Sequence, residues 1–123
     1  MADKRSRYIS LAETAANDCN PFLMEIYLGL VETHKSHIDE KTIEEIRRIR
    51  DTGYINGIDK YLESAESCAR QGAEYYFYVI FASDWAKICG VDISDRLRTI
   101  LEVTEQEKQK SNEIKLEQRI QLN

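Results

Sequence analysis

Gly72-Ala73-Glu74-Tyr75-Tyr76-Phe77-Tyr78-Val79-Ile80-Phe81-Ala82-Ser83-Asp84-Trp85-Ala86-Lys87-Ile88-Cys89-Gly90 holds six of the chain's eleven aromatic residues, with Val79, Ile80, Ile88 and three alanines, between two glycines. The segments on either side are polar and charged. A stretch apolar on nearly every side needs neighbours around it, which predicts a central element on which the others pack. Glu74 to Phe81 alone has the composition of a strand. The apolar pattern runs on through Trp85, Ala86, Ile88 and Cys89, too far for a typical strand, and a helix is the expectation.

Working outward, the remaining segments also read as helices. Ser10-Leu11-Ala12-Glu13 has the spacing of a capping box and predicts a helix start. Asn20-Pro21 pairs a good N-cap with proline at the first helical position. From there Phe22, Leu23, Ile26, Tyr27, Leu30 and Val31 recur at helical intervals as far as His34 to His37. Asp39 to Asp51 places acids early and arginines late, complementing the helix dipole, with Gly53 as the expected stop. Asn56 is the expected cap of a further helix that carries Ile58, Tyr61, Leu62, Ala65, Cys68 and Ala69 and ends at Gly72. Asp92-Ile93-Ser94-Asp95 offers caps for a last helix with Leu97, Ile100, Leu101 and Val103 on its buried face.

Past Val103 the chain turns almost wholly polar. The heptad seam from Leu97 through Leu101 becomes Thr104, Lys108, Ser111, Lys115 and Gln118, which breaks a coiled coil. The expected fold is therefore all-α: a single-domain bundle of about five to six helices with a central aromatic-rich helix. Residues 1–103 form the bundle, and residues 104–123 form a charged C-terminal helical extension or tail.

Composition limits function. With 123 residues, 42 % hydrophobic and 32 % charged, the chain is long enough for one well-formed core. A net charge of −5 disfavours nonspecific nucleic-acid binding, which draws on clustered Lys and Arg. No apolar run reaches the roughly 18 residues of a membrane span, and no export signal follows the basic N-terminus, so a cytoplasmic address is expected. Three widely spaced cysteines without a Cys-x-x-Cys pair read as reduced thiols.

Candidate chemistry is sparse. His34 and His37 stand three apart, but a stable zinc site wants three or four protein ligands, and a solvated pair near a helix end is the reading taken. Phosphate-loop, dinucleotide-binding and hydrolase-elbow motifs are absent. No catalytic residue, metal or cofactor is assigned, and the chain is read as not an enzyme.

Two surface candidates remain. Arg47, Arg48 and Arg50 offer guanidinium forks to an anion, a ligand or a nucleic acid, the alternative reading of function. Tyr75, Tyr76 and Tyr78 fan over roughly 160° of a helix, too wide for all three to point into one core. Together with Trp85 they are the expected protein interface. The function read from the sequence is a non-catalytic helical protein–protein interaction module, acting as an adaptor, inhibitor or complex subunit. A protein partner and a homo-oligomer are both expected.

Overall fold

The computed structural model describes residues 4–33 and 38–122. They form α1 (Lys4–Asn17), α2 (Pro21–Thr33), α3 (Glu40–Arg70), α4 (Tyr76–Cys89) and α5 (Ser94–Leu122), with no strand among the described residues. The fold class is as expected, a single all-α bundle.

The axis of the bundle is α3, a continuous helix of 31 residues and about 46 Å. All four of the other helices pack against it. Its start is set by Asp39, whose side chain accepts from the Thr42 N–H at 2.8 Å. Hydrogen bonds from the Thr42 side chain and backbone hold the Asp39 carboxyl below the usual aspartate range.

Where two helices were expected, at Asp39–Asp51 and from Asn56 on, there is one. Gly53 does not end it, and Asn56 does not cap a second. Both glycines in this stretch serve close approach. A Cβ at Gly57 would stand 2.5 Å from Pro21 Cγ, and one at Gly53 would run into the Met24 sulfur. α2 therefore lies directly on the α3 backbone at these two points. Asn56 faces α1 and donates from Nδ2 to the Ala16 carbonyl at 3.1 Å. The buried stripe of Ile46, Ile49, Tyr54, Ile58, Leu62, Ala65 and Ala69 then runs at three- and four-residue steps, save for the five from Ile49 to Tyr54, where Gly53 is buried between them.

α1 starts six residues earlier than the Ser10 capping box predicts. Ile9 extends the stripe of Ala12, Ala15 and Ala16 upstream, which places Ser10 mid-helix, its carbonyl accepting from Thr14 Oγ1 at 3.1 Å. The cap at Asn20-Pro21 is as read, with the Leu23 N–H donating to Asn20 Oδ1 at 3.1 Å. Between α1 and α2 the chain reverses on Cys19 at φ 59°, and the Asn20 N–H donates to the Ala15 carbonyl at 2.9 Å. That is a Schellman turn with a non-glycine residue in the left-handed position. Gly72 (φ 68°) and Gly90 (φ 69°) end α3 and α4 the same way, without a side chain to strain.

The aromatic segment is the helix α4, but the structure corrects its surroundings. Only Ala82, Trp85 and Ala86 are buried, all against α3. α4 is a flank of the bundle, not its middle. α5 runs 29 residues, about 43 Å, without a break at residues 103–104. Ile100 and Val103 sit in the core, and residues 108–121 are exposed throughout.

Candidate interaction surface

α2 and α4 both lie on α3, and their aromatic side chains meet between them. Phe22 of α2 is edge-on to Phe81 at 5.0 Å and to Trp85 at 5.2 Å between ring centroids. Tyr61 of α3 supports the cluster from below, 4.8 Å from Trp85 and 5.3 Å from Tyr78. Phe77 meets Phe81 edge-on at 4.8 Å and closes the row. Edge-to-face contacts of this kind fix ring orientation as well as burying area.

The outer side of this layer is apolar. On α2, the residues turned away from Met24, Leu28 and Val31 are Phe22, Leu23, Ile26 and Leu30, and Ile26 is 60 % exposed. On α4, Tyr76, Phe77, Ile80 and Ile88 are between 55 and 68 % exposed. The Phe22–Phe81–Phe77 contacts join the two helices' outer faces into one patch. Two charges stand within the α4 part, Asp84 and Lys87, both exposed and without an ion-pair partner among the described residues.

The four aromatics expected at an interface occupy different places. Tyr76 lies open on the patch. Trp85 is 6 % exposed and belongs to the core. Tyr78 is half-buried, edge-on against Tyr61. Tyr75 reaches α5, its hydroxyl 2.9 Å from Thr104 Oγ1. The single proton of Thr104 goes to the Ile100 carbonyl at 2.7 Å, so Tyr75 is the donor. Phe22, Ile26, Phe77, Ile80 and Ile88, which were not among those four, carry most of the patch's open area. For Phe22 and Ile26 the signal was the apolar outer side of an already amphipathic α2, and for Phe77, Ile80 and Ile88 it was the apolar residues around nearly the whole of α4.

The arginines are engaged with neighbouring acids. Arg50 Nε donates to Glu25 Oε1 at 2.7 Å, and its Nη2 pairs with Glu32. Arg47 pairs with Glu44 at 3.1 Å, and Arg48 lies 3.8 Å from Glu13. The open trough of about 830 Å³ beside Arg47 and Arg48 is also lined by Lys41, Glu44, Glu45 and Asp51, so its charge balances. A smaller recess of about 350 Å³ sits under the end of α4, walled by Ile43, Ile46, Tyr54, Ile88 and Cys89. Burial, aided by Asp51, pushes the Cys89 thiol up, which keeps it protonated at neutral pH. Burial also pushes the Tyr54 phenol up to about 12, aided by the negative charge of the Glu25 carboxylate.

Among the described residues no three His, Cys, Asp or Glu side chains converge on a possible metal position. The His34 and His37 pair lies outside the described residues. Among the described residues no helix is long and apolar enough to cross a membrane. Compared with protein-family models, with curated proteins and with solved structures, the chain matches none.

Proposed function

We propose that this chain is a non-catalytic helical interaction protein that binds another protein chain through the outer face of α2 and α4. The observation that supports this reading is the size and continuity of that face. Contiguous apolar patches on a monomer seldom exceed a few hundred Å², and larger ones mark contact surfaces. Here eight large apolar side chains from two helices keep 37–68 % of their surface open. The rings behind them are locked by edge-to-face packing, so the face is pre-shaped and loses little side-chain freedom on binding. The three cysteines are free thiols, which suits a reducing compartment such as the cytoplasm.

The alternative, an anion or nucleic-acid site at Arg47, Arg48 and Arg50, is less well supported, because each of these guanidinium groups already faces a carboxylate.

A photo-crosslinking amino acid placed at Ile80, at Ile26 and, as control, at Arg47 tests the reading in living cells. Protein adducts are expected from positions 80 and 26 and not from 47. Adducts only from 47, or from none, overturn it.

A further inference from the structure

The occupant of the α2/α4 face is open under the reading above, and the charges on that face narrow it. We infer that the partner is a second copy of this chain, joined about a two-fold axis that crosses α4 between Asp84 and Lys87. The inference rests on the proposed interaction face and adds its partner and register.

A two-fold contact is made by one patch against itself, so the patch must be its own complement. The α4 face meets this condition. Its apolar side chains need only apolar side chains opposite. Its two charges are one acid and one base, three residues apart on the helix, and neither has an ion-pair partner within the chain among the described residues. When two α4 helices cross antiparallel about a point between positions 84 and 87, each Asp84 carboxylate meets the other copy's Lys87 ammonium. Both pairs form together. The same register brings Ile80 towards the other copy's Val91, which is 40 % exposed just beyond the Gly90 cap of α4. A parallel crossing would set Asp84 against Asp84 and gains nothing.

Area supports the same occupant. At roughly 170 Å² for a fully open large apolar side chain, the eight open residues present on the order of 700 Å². Asp84 and Lys87 add polar area to this. A stable interface takes about 800 Å² from each partner. The face is of the size one copy must contribute, with an apolar centre and a self-matching pair of charges.

The test is sedimentation velocity on the full chain, with circular dichroism to confirm helicity of every variant. Wild type is expected at twice 14.3 kDa, and Ile80→Glu at the single mass. Asp84→Lys and Lys87→Asp each set like charges opposite in two symmetric places, which weakens the dimer by about tenfold or more. The double variant Asp84→Lys/Lys87→Asp exchanges the signs and is expected to recover an affinity within about threefold of wild type. Wild type that stays at the single mass through the concentration range overturns the inference. So does a dimer that the single charge variants leave unchanged or that the double variant fails to restore. The crosslink at position 80 separates this failure from that of the broader reading. A monomer whose adduct contains a different protein keeps the interaction face and removes the second copy. A monomer with no adduct removes both.

Discussion

Gly57 lies under the Pro21 ring, where an added Cβ would stand 2.5 Å from Pro21 Cγ and 3.2 Å from Trp85 Cζ3. One backbone position thus sets how closely α2 and α4 both approach the central helix. Pro21 is fully buried and its ring is rigid, so the neighbour cannot yield. Gly57→Ala is expected to cost up to about 2 kcal/mol by denaturant unfolding: against a rigid neighbour the overpacking penalty of roughly 1–3 kcal/mol outweighs the gain of about 1 kcal/mol in helix propensity. Gly53→Ala meets the far end of the flexible Met24 side chain instead and is expected to cost less.

A second prediction concerns the turn at Cys19, which holds φ 59° without being glycine. A left-handed residue with a Cβ costs roughly 1–2 kcal/mol. Cys19→Gly relieves this, and thermal unfolding of the variant is expected several degrees higher, the shift that about 1 kcal/mol produces in a domain of this size. A lower melting temperature would show that the thiol's packing outweighs the strain.

How much of this was legible in the sequence depends on how far each signal reaches. Asn20-Pro21, Gly72 and Gly90 were readable as breaks because a cap acts within its own turn. Gly53 and Asn56 were not, because the same letters serve a stop or a close approach, and what decides is Met24, Pro21 and Ala16, all at least 29 residues away in sequence. The aromatic segment was recognisable as a helix by its length. Its position was not: periodicity reports that a helix is apolar on most sides, and says nothing about how many neighbours the fold supplies. Which of its side chains stay open was equally out of reach, with Trp85 turned inward and Tyr76, Phe77 and Ile80 outward.

The pH dependence follows from Tyr54. Below pH 10 the phenol is protonated in both folded and unfolded chains, and its contribution is fully present. Above that, the unfolded chain releases the proton first, and stability falls as pH rises through the folded value of about 12. Tyr54→Phe is expected to flatten this slope in urea unfolding between pH 10 and 12 relative to wild type. Identical slopes for the two proteins would contradict it.

Adjacent positions on α5 give a further contrast. Ile100 is 2 % exposed, and Leu101 is 60 % exposed. Ile100→Ala is expected to cost about 2–4 kcal/mol, and Leu101→Ala close to nothing. Residues 109–121 are surface helix throughout, and ending the chain at Lys108 is expected to leave the melting temperature of the remaining body nearly unchanged. A large drop would mean that the projecting end is held by something in solution.

The single long α3 also bears on how the molecule comes apart. α1 and α2 also pack on each other, but α1, α2, α4 and α5 all lean on α3, and the two glycine contacts lie near its middle. Loss of α3 removes the support of every other element at once. Heat or denaturant should then melt the body in one all-or-none step, whichever spectroscopic probe follows it.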